Sequence, residues 1–178
     1  YPKLKLELVL APTAPDLFDQ QIDLSFQSGA IPDSTLVAKR VSTARWRIYA
    51  APSYLERFGT PRTPDDLAQH RCLNFLPGSY RSQWPLKDGG TVRSISPTGP
   101  VAASDGDVLV SLAQSGLGLA RLIEQRVQRD ARPGSLVTVL DAHEADPEPI
   151  YAVYPSRRHL SVRVRAFLEH VTERLAGS

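Results

Sequence analysis

The side chains best suited to chemistry in this sequence are 4 histidines and 1 cysteine, namely His70, His143, His159, His170 and Cys72. A serine nucleophile on an α/β scaffold would need Gly-x-Ser-x-Gly at a strand-to-helix turn, and the sequence does not contain that motif. His70 follows a predicted helix and is interpreted as its C-terminal cap, and His170 falls on the polar side of the last predicted helix. Structural roles are therefore favoured, and the chain is not expected to be an enzyme.

Two groups of residues could in principle bind a metal ion, but neither has the spacing of a metal site. His70 and Cys72 stand close together and have no companion pair of ligands. The second group lies in a proline-interrupted stretch and consists of His143, Glu144, Asp146 and Glu148. We interpret this stretch as a solvated loop, and no metal is expected.

Nucleotide and phosphate binding are also poorly supported. Gly116-Leu117-Gly118 lacks the third glycine of a dinucleotide-binding fingerprint and follows a predicted helix instead of a strand. This pattern is typical of a helix C-terminus followed by the entry to a strand. The one basic run, Arg157-Arg158-His159, is interpreted as a solvated connection. We therefore expect no cofactor.

One short segment has a position suited to ligand binding. Ser104-Asp105-Gly106-Asp107 lies between a predicted strand and a predicted helix. Helix N-termini present free N–H groups and positive partial charge, and open α/β sheets bind ligands at the carboxyl ends of their strands. The alternative interpretation is that Asp105 or Ser104 simply caps the helix. The two roles are compatible, and the sequence favours neither.

The composition excludes several classes of protein. The chain has 178 residues, 42% of them hydrophobic and 22% charged, which suits one large domain or two small lobes. No apolar run approaches the roughly 20 residues that a transmembrane helix needs. The net charge is +2, with 11 basic and 9 acidic side chains in residues 1–89 and 10 of each in residues 90–178. Neither half is therefore a basic nucleic-acid-binding arm.

The start of the sequence and its cysteine content bear on processing and compartment. The chain contains 0 methionines and begins at Tyr1, so it is interpreted as a processed or truncated piece. Its first residues have neither the basic nor the apolar region of a signal peptide. A single cysteine fits a reducing compartment, and we expect the protein to be cytoplasmic and not membrane-bound.

Prolines, 15 in number, divide the chain into short predicted elements. Strands are predicted at residues 4–10, 23–26, 36–41, 45–51, 136–140 and 150–154. Residues 72–103 are predicted to form short strands joined by turns, and residues 118–121 a short strand or a turn. The predicted strand at residues 150–154 is apolar throughout and is therefore expected at the centre of a sheet. Helices are predicted at residues 15–21 and 52–58, after Thr63, at residues 108–113 and 122–130, and after Ser161.

The alternation of strands and helices predicts an α/β fold with a mostly parallel sheet. The same pattern predicts two lobes, with the chain crossing between them near residues 45 and 149. Residues 1–44 and 149–178 would form lobe I, and residues 45–148 would form lobe II.

Taken in order, these elements resemble the effector-binding domain of a LysR-type transcriptional regulator. The resemblance covers nearly the whole chain, and no single motif is diagnostic. The matching stretches are Tyr1-Pro2 with Leu6-Glu7-Leu8, Asp23-Leu24, Gly29 with Asp33-Ser34 and Leu36-Val37-Ala38, Ala51-Pro52-Ser53-Tyr54-Leu55, Gly59-Thr60-Pro61, Asp66-Leu67, His70-Arg71-Cys72-Leu73, Gly116-Leu117-Gly118, and Tyr151-Ala152-Val153-Tyr154-Pro155-Ser156-Arg157-Arg158 running to Val164-Arg165-Ala166-Phe167.

The resemblance implies a fold like that of type 2 periplasmic binding proteins, in which two α/β lobes flank a cleft that binds a small effector. Members of the family bind DNA through an N-terminal winged helix-turn-helix and assemble as dimers or tetramers. Neither the DNA-binding domain nor the family's first regulatory strand and helix is found in this sequence. Lobe I is therefore expected to be incomplete at its N-terminus, and the pairing of the strand at residues 4–10 to be altered.

Positions that match the family's effector cleft are Pro12, Thr13, Gln27, Ser28, Trp46, Ser104 and Asp105. Thr13 and Ser104 can donate hydrogen bonds to a carboxylate, and Trp46 can offer an aromatic wall or simply pack in the core. The acidic residues at 105 and 107 disfavour a highly charged anion, so a small carboxylate or aromatic effector is expected.

Two other functions are compatible with the same fold class. A solute-binding protein of a transporter shares the fold, and a helix-turn-helix upstream of Tyr1 would exclude that alternative. An α/β enzyme is the third hypothesis, although the sequence shows no nucleophile paired with a base.

Overall fold

A computed structural model describes residues 4–11, 14–28, 31, 35–76, 80–155 and 161–176. These residues form ten strands: β1 (Ser25–Ser28), β2 (Leu36–Ala44), β3 (Trp46–Ala50), β4 (Cys72–Phe75), β5 (Trp84–Asp88), β6 (Thr91–Ile95), β7 (Val101–Ala103), β8 (Leu119–Ile123), β9 (Val137–Val139) and β10 (Glu148–Pro155). The four α-helices are α1 (Pro52–Phe58), α2 (Gly106–Gln114), α3 (Glu124–Asp130) and α4 (Val162–Ala176). Short 3-10 helices span Pro64–Gln69, Tyr80–Ser82 and Asp141–His143.

The chain folds into two compact units. Unit 1 consists of Tyr1–Ala44 and Glu148–Ser178, and unit 2 of Arg45–Pro147. Two connections join them, one between Ala44 and Arg45 and the other between Pro147 and Glu148.

Unit 1 contains a three-stranded antiparallel sheet in the order β1-β10-β2. The predicted central place of the apolar strand is confirmed, because β10 pairs with a neighbour on each side. Helix α4 packs on β2, and Ser161 caps it by accepting a 3.3 Å hydrogen bond from the Val164 amide. The core between them contains Val41, Ala152 and Leu168.

The prediction of a strand at residues 4–10 is wrong in this structure, because these residues form neither helix nor strand. The apolar side chains from Leu6 onward are exposed, from 56% for Leu6 to 97% for Leu10, whereas Leu4 is half-buried. An alternating sequence becomes a strand only when a neighbouring strand pairs with its backbone N–H and C=O groups. Among the described residues, the outer edges of β1 and β2 have no further strand beside them.

The helix predicted at residues 15–21 is also wrong, since the chain forms a turn there. The Asp16 carboxylate accepts hydrogen bonds from the backbone amides of Phe18 and Asp19, at 2.9 and 3.1 Å. Gln21 then adopts a positive φ of 53°, which ends any helical path. Asp at such a position stabilises a local turn in competition with a helix.

Unit 2 is built on a five-stranded sheet in the order β7-β4-β8-β3-β9. Strand β4 runs parallel to β7 and β8, whereas β3 runs antiparallel to β8 and β9. The expected mostly parallel sheet is therefore wrong. Strand β3 leads away from the edge where β4, β7 and β8 end and therefore opposes them, whereas β9 leads back to that edge and runs in the same direction as β4, β7 and β8.

The two faces of this sheet are covered differently. Helix α2 buries Leu109, Val110 and Ala113, and a second apolar cluster contains Leu67, Trp84 and residues of β3, β4 and β8. The two-stranded sheet of β5 and β6 contributes Trp84 and Leu86 to that cluster. Cys72 belongs to it as well, and burial raises the pKa of its thiol to about 12.

Tyr54 of α1 links the helix to the start of β4. Its side chain is buried, and its hydroxyl oxygen accepts a 2.9 Å hydrogen bond from the Arg71 amide. The same hydroxyl lies 3.2 Å from Nδ1 of His70. As predicted, His70 stands at the C-terminus of a helical segment, where its amide bonds to the Leu67 carbonyl.

The predicted end of α2 is confirmed, with Gly116 at a positive φ of 74°. Gly118 then immediately precedes β8, at a very close approach between two backbones. A Cβ atom at Gly118 would lie 2.2 Å from the carbonyl oxygen of Arg71, far inside van der Waals contact. Glycine is required there because the neighbouring backbone occupies the space of a side chain.

We expect Gly118→Ala to lower the free energy of unfolding by about 1–3 kcal/mol, because the strands must separate to admit the methyl group. Gly106→Ala is the matched control, since its Cβ would meet only the guanidinium end of the Arg126 side chain, at 3.0 Å, and no backbone atom. The control should change stability by less than about 1 kcal/mol. Urea unfolding followed by circular dichroism measures both, and equal effects of the two variants would contradict the steric argument.

His70 should make stability depend on pH. Burial lowers the pKa of His70 below its ordinary value of 6.5, with Asp66 opposing the shift more weakly. The folded state therefore favours the neutral imidazole. The contribution of His70 to the free energy of unfolding is complete above about pH 6.5 and is lost as the pH falls below that value. The urea midpoint should drop more for the parent than for His70→Asn between about pH 7.5 and about pH 5.5. The exposed His170→Asn is the control, and it should retain the parent's pH profile.

Candidate functional site

Three of the predicted site residues meet at one edge of the unit 2 sheet. Phe75 at the end of β4 pairs with Ala103 at the end of β7, so Ser104 follows directly at this edge. Trp46 at the start of β3 pairs with Ile123 at the end of β8. The carboxyl ends of three strands and the first residue of a fourth therefore converge, which is where α/β sheets bind ligands.

Trp46 is packed into this edge and only 7% exposed. Its ring meets that of Phe75 edge-to-face, with centroids 6.2 Å apart and planes at 82°. The guanidinium carbon of Arg121 lies 4.6 Å from the centroid of the indole. The observed burial matches a packed strand residue more closely than an open aromatic wall.

Arg121 is a residue that the sequence reasoning missed. It is 5% exposed, which is exceptional for an arginine, and its Nη1 lies 3.5 Å from the Gln83 carbonyl. An arginine in the apolar strand Leu119–Ile123 was the available signal, because a charge on a buried strand needs a specific environment. Its place beside the indole makes it part of this edge.

Asp105 is the N-cap of α2. Its carboxylate accepts hydrogen bonds from the amides of Asp107 and Val108, at 2.7 and 3.3 Å. Asp107 in turn forms an ion pair with Arg126 and lies 3.6 Å from Arg129. The capping role left open by the sequence is therefore realised, and a carboxylate already occupies the first free amides of the helix.

The remaining predicted residues lie elsewhere. Gln27 and Ser28 are half-buried in β1 of unit 1, where Gln27 Nε2 donates a 3.3 Å hydrogen bond to Ser25 Oγ. Ser104 is exposed at the edge of unit 2. Pro12 and Thr13 lie outside the described residues.

The acidic stretch interpreted as a solvated loop is instead part of an ion-pair network at the start of β3. Glu144 has a side chain only 12% exposed, and Arg45 binds both of its carboxylate oxygens, with Nη2 at 3.1 Å from Oε2. Arg47 Nε lies 3.5 Å from both Glu144 and Glu124. The sequence interpretation failed because the cationic partners are about 100 positions away along the chain and adjacent only in the fold.

The other residues of that stretch do not form a metal site. His143 Nδ1 lies 2.8 Å from the Lys87 carbonyl, and Asp146 pairs with Lys87 at the surface. No cluster of three or more potential metal ligands occurs within the part of the chain that the structure describes. Within the same residues, no helix has the length and apolarity to cross a membrane.

A model of the LysR substrate binding domain matches residues 1–176. The chain belongs to this family. The regulator CrgA of Neisseria meningitidis serogroup C is 35% identical over 180 residues, which cover 100% of this chain and 60% of CrgA. The chain thus spans well under two thirds of the length of that relative. The family is one of effector-binding domains of transcriptional regulators and not of enzymes, and the matches do not support a transporter solute-binding protein.

Solved structures agree with this family assignment. Full-length AphB of Vibrio cholerae, a virulence activator, superimposes with a TM-score of 0.84 at 29% identity, covering 98% of this chain and 59% of AphB. The regulatory domain of CrgA gives a TM-score of 0.78 at 30% identity, covering 91% of this chain and 81% of that domain. The predicted α/β fold of the periplasmic-binding-protein-like type is confirmed.

Glu144→Gln should destabilise unit 2, because it leaves Arg45 and Arg47 without their shared, mostly buried carboxylate. We expect a loss of about 1–3 kcal/mol in the free energy of unfolding. Asp146→Asn is the control, since its carboxylate is 85% exposed and its pair with Lys87 should contribute less than about 1 kcal/mol. The difference should be measurable by urea unfolding, and indistinguishable midpoints would show that the network contributes nothing to stability.

Proposed function

We propose that this chain is the effector-sensing part of a longer, DNA-binding transcription regulator that works in the cytoplasm. The observation that carries this proposal is the match of residues 1–176 to the LysR substrate binding domain. Unit 2 by itself supports it, since its sheet gathers polar and aromatic side chains at the carboxyl ends of the strands. DNA would be bound by another domain of that regulator, and the working assembly would be a dimer or a tetramer.

The two compact units are proposed to be the two lobes of this sensor, with lobe I formed by residues 1–44 and 149–178 and lobe II by residues 45–148. The effector-binding residues are proposed to be Pro12, Thr13, Gln27, Ser28, Trp46, Ser104 and Asp105. Ser104 supports this proposal, because it is exposed at the edge and its hydroxyl can donate a hydrogen bond.

Charge at the edge limits the class of effector. The Asp105 carboxylate occupies the N-terminus of α2, where it already accepts hydrogen bonds from the Asp107 and Val108 amides. A ligand with several negative charges would meet electrostatic repulsion, so a small monocarboxylate or a partly apolar aromatic compound suits this edge better. Arg126 and Arg129 neutralise Asp107 and leave Asp105 as the acid that such a ligand would face.

The proposed mechanism is a population shift. An effector that binds one arrangement of the regulator more tightly stabilises that arrangement by its difference in affinity. In an oligomer, the shift would change the spacing of the DNA-binding domains and thereby the affinity for DNA. The regulator would respond without catalysing any reaction.

The test is a thermal-shift screen of small monocarboxylates and aromatic compounds against the effector domain. A ligand at 100 times its Kd should stabilise the domain by about 2.7 kcal/mol. Ser104→Ala should weaken the best ligand about 2- to 10-fold, as expected for one lost hydrogen bond. Ser94→Ala on the exposed strand β6 is the control, and it should leave affinity unchanged.

A second substitution tests the charge argument. Asp105→Asn retains an N-cap acceptor while removing the negative charge, so carboxylate ligands should bind more tightly and the fold should persist. A screen in which no compound raises the melting temperature would contradict the sensor proposal. Tighter binding of dicarboxylates than of monocarboxylates by the parent would contradict the proposed effector class.

A further inference from the structure

Phe58 ends α1 with its side chain 42% exposed, and two arginines stack on its ring. The guanidinium carbon of Arg57 lies 5.2 Å from the ring centroid, and that of Arg71 lies 5.4 Å from it. An arginine stacked on an aromatic ring keeps the N–H donors at the edge of its guanidinium available to a carboxylate. We call Arg57, Phe58 and Arg71 the arginine–phenylalanine patch.

The positive charge of this patch is not neutralised by the residues that the structure describes. Other arginines of unit 2 form ion pairs with carboxylates, namely Arg45, Arg47, Arg93, Arg126 and Arg129. Among the described residues, neither Arg57 nor Arg71 forms such a pair. The patch therefore presents two uncompensated charges on an exposed apolar ring, which is complementary to a negatively charged group.

The core of unit 2 holds the patch in place. The buried ring of Tyr54 lies 4.7 Å from that of Phe58, centroid to centroid. The Arg71 amide donates to the Tyr54 hydroxyl at 2.9 Å, and the Arg71 carbonyl accepts from the Leu119 amide at 2.9 Å. A surface that is already ordered loses less conformational entropy when a partner binds.

An exposed apolar side chain lies next to the patch. Leu117 is 38% exposed and directly precedes Gly118, where a Cβ atom would lie 3.3 Å from Cβ of Arg71. Surfaces that bind other proteins are enriched in arginine and aromatic residues, and this surface combines both with aliphatic area. A continuous row of DNA phosphates suits it less well, because only two arginines are offered and the exposed acid Glu56 adjoins them.

The patch lies away from the edge that carries the candidate effector site. Arg71 immediately precedes β4, whereas Phe75 ends that strand and pairs with Ala103, the residue before Ser104. The two sites are therefore at opposite ends of β4, and a partner on the patch leaves the effector edge of unit 2 open.

We propose that the arginine–phenylalanine patch docks an acidic segment of a partner protein. Arg57 and Arg71 bind carboxylates of that segment, and an apolar residue of the segment packs on Phe58 and Leu117. The interaction goes beyond effector sensing, because it connects the domain to a second protein through a surface that the effector does not need.

The test is fluorescence anisotropy with this chain and a labelled peptide in which Asp-Glu pairs alternate with leucine. The parent should bind this probe saturably, and binding should weaken as the salt concentration rises, because the ion pairs are exposed. Arg57→Gln and Arg71→Gln should each weaken binding about 2- to 5-fold, and the double variant should weaken it more than either alone. A probe with serine in place of leucine should also bind more weakly, since it loses apolar contact.

Arg132→Gln is the matched control for the loss of one positive charge. Arg132 is likewise exposed in unit 2, and among the described residues it neither stacks on a ring nor pairs with a carboxylate. The control should bind the probe as the parent does. Equal weakening by Arg132→Gln would attribute the effect to net charge and overturn the proposal.

The remaining outcomes each contradict the proposal in a different way. No saturable binding of the probe up to about 1 mM would show that the patch does not dock acidic segments. Equal binding of a probe with Asn and Gln in place of its acids would show that charge is not recognised. Labelled duplex DNA that binds more tightly than the peptide, and that is weakened by the same two substitutions, would assign the patch to nucleic acid. Dimerisation of the chain in sedimentation experiments, lost in the double variant, would assign it to a second copy.

Discussion

The close approach of the chain to both sides of β4 is the constraint on which the rest of unit 2 depends. A Cβ atom at Gly99 would lie 1.8 Å from the Cys72 carbonyl, and one at Gly118 would lie 2.2 Å from the Arg71 carbonyl. Only glycine fits at these two positions. Because the neighbouring segments come this close, β4 pairs in parallel with both β7 and β8, and the ends of all three strands reach the same edge.

That edge explains the arrangement of charge in unit 2. The start of β3 lies where three strands end, so its side chains would face other polar groups in a partly buried region. Arg45 and Arg47 are neutralised there by Glu144 and Glu124. Paired charges are tolerated in such surroundings, whereas an isolated charge would be costly. At the other side of the edge, Asp105 satisfies the first amides of α2. Among the described residues, two buried donors at this edge have no hydrogen-bond partner, the indole N–H of Trp46 and Nε of Arg47, although the guanidinium of Arg47 forms ion pairs.

Local signals in the sequence were good guides where neighbouring residues decide the outcome. Pro52 starts α1 and Gly59 ends it, and Ser161 caps α4, as predicted. The apolar run in β10 correctly indicated a strand with neighbours on both sides. The same kind of signal failed at residues 4–10, since a strand needs a partner and the pattern of one segment does not show whether a partner is present. The alternation of strands and helices also predicted a mostly parallel sheet, but β3 runs antiparallel to β8. The direction of β3 depends on where the chain enters unit 2, which the sequence pattern does not show.

The sequence by itself determined the fold class, the family and most helix ends, because these follow from periodicity, caps, glycines and the order of motifs along the chain. It also identified Trp46, Ser104 and Asp105 as residues to examine. Tertiary structure alone decided what these residues do, because their partners are distant in sequence. It buried Trp46 between Phe75 and Arg121, committed Asp105 to the cap of α2, and paired Glu144 with Arg45 across about 100 positions. Contacts over such separations arise from the pairing of strands, and no local pattern encodes them.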